Sequence, residues 1–311
     1  MAVSQPVEPF AEVHSRPLPD GSLQIEASML WEPDIEGAAC GLALDASVSM
    51  RKFYGALPGV SPLFQTDEQS PNVVEPVART LAAYLARFAG EGTCQVLYGS
   101  CGAEGAEVED IGNVRENEAR GLRITGPRRH TWGRQTRLLP PLRALVNGVF
   151  PGAPWALGVF VTDGGIDDLA DVQRASLEWA RQMARGDREP FQLVLIGLGD
   201  PVQTASLIAL RDLFQENPLL TPQGQPIRLW NFKLAAQMRR LEELFCNAPV
   251  PPQTTLAPWA RILGPDGRLA AEFRDGVPTR LCFRLPAGSR SFTLELPGGR
   301  VQQNLAADER V

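Results

Sequence analysis

Oxygen-bearing side chains that follow strand-like segments are the part of this sequence best suited to chemistry. The five candidate residues are Asp45, Ser47, Ser49, Thr136 and Asp163. The first three form a D-x-S-x-S motif directly after the apolar run 38–44, and the last follows the apolar run 157–161. Carboxylates and hydroxyls are hard oxygen ligands, which suit Mg²⁺, Mn²⁺ or Ca²⁺ and not zinc or copper. The sequence therefore predicts a site for a divalent metal ion.

The same residues also have a purely structural interpretation. Ser47 and Ser49 are able to cap the loop or helix that follows them, and Asp163 is able to form an Asx turn before Gly164. A D-x-S-x-S motif alone occurs often by chance. Its position after an apolar strand, combined with a second strand that ends in T-D-G, favours the metal site over the structural interpretation.

Segments that alternate between strand-like and helix-like patterns predict the elements that position these residues. Strands are predicted at 38–44, 94–98, 157–161, 191–198 and 225–232, and helices at 72–88, 138–146, 169–184, 204–214 and 233–245. This alternation predicts an α/β fold with a doubly wound, mostly parallel sheet. Ligands bind such a sheet beyond the carboxyl ends of its strands, where the strand order reverses, so Asp45 and Asp163 should face one crevice. Asp167 and Asp168 are predicted to be charges at the start of a helix, where the helix dipole stabilises them.

Composition shifts predict four regions along the chain. These are an N-terminal segment with an edge strand (1–37), the α/β domain (38–246), a proline-rich linker (247–254) and a small β module (255–311). Within the α/β domain, residues 103–135 form a long charged connection with a short edge strand at 108–111. Long loops above a parallel sheet are often where partners bind.

The overall composition excludes several classes of protein. The net charge of −6 over 311 residues argues against nucleic-acid binding, and the pair Arg128-Arg129 is interpreted as solvated surface. Five cysteines without C-x-x-C spacing argue against a disulfide framework, and two histidines leave little for a zinc site or a histidine-based triad. The first residues lack a signal-peptide pattern and no apolar run reaches about 20 residues, so we expect a cytoplasmic protein without a membrane span.

The candidate ligands resemble the metal-ion-dependent adhesion site of von Willebrand factor A domains. The D-x-S-x-S motif at Asp45, the downstream Thr136 and the T-D-G at Asp163 match that pattern, and the similarity covers roughly residues 38–246. The T-x-x-x-P turn that ends at Pro140 and the T-D-G-x-I-x-D run that ends at Asp168 resemble the copine-like and tellurium-resistance-associated branch of bacterial proteins.

This resemblance implies a protein-binding module and not an enzyme. Asp45, Ser47, Ser49, Thr136 and Asp163 would hold Mg²⁺, or Mn²⁺ or Ca²⁺, and a partner protein would supply an Asp or Glu to the metal. Such an adaptor or scaffold would act in a bacterial stress-response or conflict-defence assembly. Two alternatives remain open, namely an adaptor subunit for an AAA+ ATPase and a metal-dependent phosphohydrolase that uses Asp45 as its nucleophile.

Overall fold

The computed structural model describes residues 2–32, 37–56, 71–198, 205–214, 218–222, 224, 226–246 and 254–306. The predicted proline-rich linker at 247–254 lies outside the described residues except for its last position. The chain divides into two compact units, which are residues 34–241 and a second unit built from residues 1–33 with 242–311.

Strands account for most of the regular structure in the described part of the chain. In chain order they are β1 (Ala2–Ser4), β2 (Phe10–Pro17), β3 (Leu23–Met29), β4 (Ala38–Asp45), β5 (Ala89–Cys101), β6 (Glu107–Arg115), β7 (Ala156–Thr162), β8 (Phe191–Gly197), β9 (Trp230–Leu234), β10 (Ala260–Leu263), β11 (Leu269–Phe273), β12 (Arg280–Leu285), β13 (Ser291–Leu296) and β14 (Gly299–Asn304). The α-helices are α1 (Val74–Phe88), α2 (Glu116–Ala119), α3 (Leu139–Arg143), α4 (Leu169–Arg185) and α5 (Ala205–Arg211).

Residues 34–241 contain a six-stranded sheet in the order β6-β5-β4-β7-β8-β9. All neighbouring strands in it are parallel except β5 and β6, which pair antiparallel. The prediction of an α/β fold with a mostly parallel sheet is confirmed. The chain leaves β4 toward β5 on one side and later returns to pair β7 on the other side, so the strand order reverses at β4.

Burial on both faces explains why the central strands are nearly continuous apolar runs. Every residue of β7 and β8 is buried, and all but one residue of β4 are buried. The register pairs Leu44 with Val161, so the carboxyl ends of β4 and β7 meet at the same edge of the sheet. The two strands that precede the candidate carboxylates are therefore direct neighbours.

The helices follow the predicted pattern, with two differences. Helix α1 buries Val74, Ala78, Leu81 and Leu85 on one face, and Asn72 Oδ1 accepts the N–H of Glu75 at 3.0 Å as a capping residue does. The predicted helix at 138–146 is the short α3, which continues as a π-helix over Ala144–Val149. The predicted helix at 233–245 is wrong, because β9 extends to Leu234 and only a 3₁₀ turn, Leu241–Phe245, follows.

The second unit contains two four-stranded sheets, in the orders β1-β2-β3-β12 and β11-β10-β13-β14. Strand β3 pairs with β12 along six residue pairs, so the N-terminal strands share a sheet with a C-terminal strand. Composition shifts alone place residues 1–37 and 255–311 in separate regions. Sequence patterns report local structure, and this pairing joins residues more than 250 positions apart, such as Ser28 and Arg280.

Among the helices of the described residues, none has both the length and the apolar character that crossing a membrane requires.

Candidate metal centre

Asp45 is the last residue of β4, and its carboxylate is held in place by two hydrogen bonds. Oδ1 accepts the N–H of Ser47 at 2.8 Å, and Oδ2 accepts the hydroxyl of Thr162 at 2.8 Å. Burial raises the pKa of Asp45 from 3.8 to about 6; the two hydrogen bonds lower it, and the nearby charge of Asp163 raises it further. The groups that act on this carboxylate among the described residues are neutral donors and a second carboxylate, so burial of its charge is only partly offset.

Asp163 follows β7 and is only 7% exposed, yet its buried Oδ1 atom has no hydrogen-bond partner in the described part of the chain. The Asx turn of the structural interpretation would satisfy such an oxygen, but the hydrogen bond found in this turn is the one that the Thr162 hydroxyl accepts from the Gly164 N–H at 3.3 Å. A buried anionic oxygen without a donor is costly unless a cation or water molecule satisfies it. This orphaned oxygen marks a position that fits a bound cation.

The two serines of the D-x-S-x-S motif do not cap a helix. Ser47 occupies the N-cap position of a 3₁₀ helix, Val48–Tyr54, but its side chain makes no capping hydrogen bond. Its hydroxyl oxygen instead lies 3.0 Å from that of Ser49. Ser47 is buried and Ser49 is exposed, so the pair of hydroxyls extends from Asp45 to the surface. Neutral oxygen donors in this position suit a hard cation.

Hydrogen bonds with Asp167, which the sequence does not reveal, position Thr136 at a cavity that Asp45 also lines. Its N–H donates to Asp167 Oδ2 at 2.7 Å, and the Asp167 N–H donates back to the Thr136 carbonyl at 2.9 Å. Thr136 and Asp45 line one small cavity of about 10 Å³, which is close to the space of a single water molecule. The structure thus brings Thr136 to the site despite the long connection that precedes it.

Asp168 lies at the start of α4, as predicted, and its carboxylate has an additional role. It stands at the N-cap of α4 without capping that helix, and its carboxylate accepts the N–H groups of Leu138 and Leu139 at 2.9 and 3.0 Å. These are N–H groups at the start of α3, where Pro140 and Pro141 have none to offer. Asp167 and Asp168 therefore fix the loop after β7 to the segment that carries Thr136.

Close backbone packing fixes the other side of the Thr136 segment. The Gly133 carbonyl accepts the N–H of Val48 at 2.8 Å, and the Gly133 N–H donates to the Ala46 carbonyl at 3.0 Å. A Cβ atom on Gly133 would lie 2.1 Å from the Ser100 carbonyl oxygen, so only glycine fits this position. The loop after β4 and the connection before α3 are joined backbone to backbone.

The donor set fits a hard cation better than a soft one. No three His, Cys, Asp or Glu side chains gather as a metal cluster within the described ranges, so an ion here would depend on two carboxylates, neutral hydroxyls and water. Soft metals prefer thiolate or imidazole ligands, which this place does not provide, whereas Mg²⁺ retains water and needs few carboxylates.

Comparisons with known proteins add little to this geometry. No family model matches the chain, and no curated protein matches it. The pilus adhesin SpaC from Lactobacillus rhamnosus GG, in its open conformation, is similar at a TM-score of 0.34 and 12% identity, over 94% of this chain and 46% of that one. A second structure of SpaC gives a TM-score of 0.34 and 11% identity, over 94% and 47%. The chain spans about half the length of these structures, and a TM-score of 0.34 assigns neither fold nor function.

Proposed function

We propose that residues 34–241 form a von Willebrand factor A-like domain that binds a divalent metal ion and captures an acidic side chain of a partner protein. The single observation that carries this proposal is the Asp163 carboxylate, which is buried beside Asp45 with one oxygen unpartnered. Two neighbouring buried carboxylates repel each other unless a cation lies between or beside them. The reversal of strand order at β4 supports a doubly wound sheet with its ligand site at this edge.

Asp45, Ser47, Ser49, Thr136 and Asp163 are the residues that would hold the ion. A bound Mg²⁺ would supply an electropositive position for a carboxylate from outside the chain. Thr162 and the Ser47 N–H orient Asp45, and Asp167 holds Thr136 in place. We propose that the protein is an adaptor or scaffold and not an enzyme. Its proposed role in a bacterial stress-response or conflict-defence assembly is based on the same resemblance to von Willebrand factor A proteins.

Thermal unfolding with and without divalent ions tests the metal site. Magnesium at about a hundred times its dissociation constant should stabilise the protein by about 2.7 kcal/mol, because it binds only the folded state. Asp163→Asn should remove this response and also raise the stability of the metal-free protein, since it removes the unpartnered buried charge. A purely structural Asp163 would not produce both effects.

Asp171→Asn is the matched control. Asp171 is an exposed carboxylate on α4 that pairs with Arg174, so its variant should keep the magnesium response. Unchanged unfolding in Mg²⁺, Mn²⁺ and Ca²⁺, measured for the wild-type protein, would contradict the proposal.

Capture of partners by the immobilised chain, with Mg²⁺ or with EDTA, tests the binding function. We expect partners that bind in Mg²⁺, that leave in EDTA and that Asp45→Ala fails to retain. Turnover of a generic phosphate ester that is lost in Asp45→Asn would instead identify a phosphohydrolase.

A further inference from the structure

The connection between β6 and α3 is strongly basic in an otherwise acidic protein. Between Glu118 and Asp163 the sequence has no acidic residue and seven arginines, in a chain of net charge −6. They are Arg120, Arg123, Arg128, Arg129, Arg134, Arg137 and Arg143. From sequence alone Arg128-Arg129 is simply solvated surface, but the structure shows how this segment is held.

A buried carboxylate fixes the first part of the segment. Glu109, on β6, is 6% exposed, and its carboxylate accepts the N–H groups of Arg128, Arg129 and His130 at distances from 2.8 to 3.2 Å. Burial raises the pKa of Glu109, but these three N–H groups and His130 lower it, and the net shift is downward. The backbone of the turn thus faces inward, while the side chains of Arg128 and Arg129 are exposed.

The second part of the segment lies against the candidate metal centre. Trp132 packs edge-on against Tyr54, with ring centroids 5.1 Å apart, and the Tyr54 hydroxyl donates to the Asp45 carbonyl at 2.9 Å. The next residue is Gly133, which is hydrogen-bonded to the loop after β4, and it is followed by the exposed Arg134. Arg134 therefore projects from a segment that is anchored beside the site.

Arg51 adds a fourth positive charge from the other side. Its guanidinium carbon lies 5.7 Å from the centroid of the Trp132 ring, and its buried Nε atom has no hydrogen-bond partner among the residues that the structure describes. Val48, three residues earlier, is 45% exposed and offers apolar area beside the charges. Interfaces commonly combine arginine and aromatic side chains with a small apolar area.

These four arginines have no acidic partners among the described residues. Other exposed arginines of the chain do, for example Arg174 with Asp171 and Arg274 with Glu272. We propose that Arg51, Arg128, Arg129 and Arg134, named here the arginine surface, bind an acidic segment of a partner protein that carries several carboxylates.

The surroundings favour an acidic peptide over a nucleic acid. Surfaces that bind single-stranded nucleic acid combine positive charge with aromatic rings on which bases stack, whereas the Trp132 ring packs against Tyr54 and Arg51. One carboxylate of the same peptide would reach the metal centre, and this part alone rests on the proposed function. The arginine surface itself requires no metal ion.

Binding of a fluorescein-labelled deca-glutamate peptide, measured by anisotropy with the full chain in Mg²⁺, tests the proposal. Replacing three exposed arginines together (Arg128→Ala, Arg129→Ala and Arg134→Ala) should raise the dissociation constant about tenfold or more, because each contributes to the attraction of several carboxylates. Binding should also weaken as NaCl rises from about 50 to 500 mM. A deca-glutamine peptide should bind neither protein.

The matched control replaces three exposed arginines of the second unit (Arg268→Ala, Arg274→Ala and Arg300→Ala). It changes the net charge equally and should leave the dissociation constant within about twofold, since its charges lie outside the surface. An equal loss in both triple variants would overturn the proposal, as it would indicate net charge alone.

The two proposals fail in different ways. Peptide binding that is as tight in EDTA as in Mg²⁺ and is lost in the arginine variant supports the arginine surface and counts against the metal function. Metal-dependent binding of equal strength in the variant and the wild-type protein overturns the arginine surface and supports the metal function. Oligothymidylate that binds more tightly than deca-glutamate also overturns the proposal, in favour of a phosphate-binding surface.

Discussion

Two buried carboxylates at adjacent strand ends dominate the chemistry of this protein at the scale of single residues. Asp45 is well supplied with hydrogen bonds, while Asp163 has an oxygen with none. Hydrogen bonds from Ser47 and Thr162 do not fully offset burial, which still raises the pKa of Asp45 to about 6. In the metal-free protein, the burial of these two carboxylates and the repulsion between them should therefore lower the free energy of unfolding.

The pH dependence of the free energy of unfolding measures this destabilisation. A carboxyl whose pKa is raised in the folded state binds more protons there than in the unfolded chain, so stability falls as pH rises from about 4 to 6. With the pKa of Asp45 raised from 3.8 to about 6, the loss should be on the order of 3 kcal/mol. In EDTA, Asp45→Asn should lack this loss and be more stable than the wild-type protein at pH 7.

Urea unfolding between pH 3.5 and about 7.5 checks this expectation. Asp171→Asn, which alters an exposed carboxylate, should follow the wild-type profile. Parallel profiles for Asp45→Asn and the wild-type protein would show that the Asp45 carboxylate carries no such cost.

At the scale of elements, hydrogen bonds to side chains of other elements hold the connection between α2 and α3 in place. Residues 120–138 donate N–H groups to the side chains of Glu75, Tyr98, Glu109, Asp167 and Asp168. Asp168 matters most for the site, because it accepts both N–H groups at the start of α3 and so sets the end of the segment that carries Thr136.

Replacement of Asp168 should therefore affect both stability and metal binding. Asp168→Ala leaves two N–H groups without acceptors, and we expect a loss of about 1–3 kcal/mol in the free energy of unfolding. The stabilisation by Mg²⁺ should also decrease, since Thr136 is no longer fixed. Denaturant unfolding with and without Mg²⁺ measures both effects.

Asp171→Ala is the control for this variant, as it removes an exposed ion pair worth less than about 0.5 kcal/mol. Equal stability of Asp168→Ala and Asp171→Ala would contradict the anchoring role of Asp168.

At the scale of the whole molecule, the two ends of the chain form one unit. Strands β1, β2 and β3 supply three of the four strands in the sheet that β12 completes. Buried apolar residues from both ends form its core, including Val13, Ile25, Phe283 and Phe292. The C-terminal residues by themselves lack five of the 13 buried residues of this core, namely Phe10, Val13, Ile25, Ala27 and Met29.

Fragments of the chain should differ in whether they fold, according to which unit they contain. Residues 34–241 should fold as a separate fragment, because their sheet and its hydrophobic core are internal to that range. Residues 242–311 alone should not fold, since a strand without its sheet leaves apolar area and backbone groups unsatisfied. Dispersed amide signals in NMR spectra distinguish the outcomes, and a folded fragment 242–311 would contradict the shared core.

Local features of this protein are readable in the order of its residues. Continuous apolar runs predicted the buried parallel strands, and apolar spacing predicted α1 and α4, because burial on one or two faces leaves a periodic record in the chain. Asp45, Ser47, Ser49 and Asp163 are candidate ligands by residue type and position after a strand, and Thr136 by its match to the family motif. Their metal-binding function stays a prediction.

Contacts between residues far apart in the chain become visible in the folded structure alone. It showed that Asp167 and Asp168 hold the Thr136 segment, that Glu109 orients the exposed arginines, and that the N-terminal strands complete the C-terminal unit. These contacts join residues that are 20 to more than 250 positions apart. A carboxylate that accepts backbone N–H groups leaves no periodic pattern, so its partners become known only when the chain is folded.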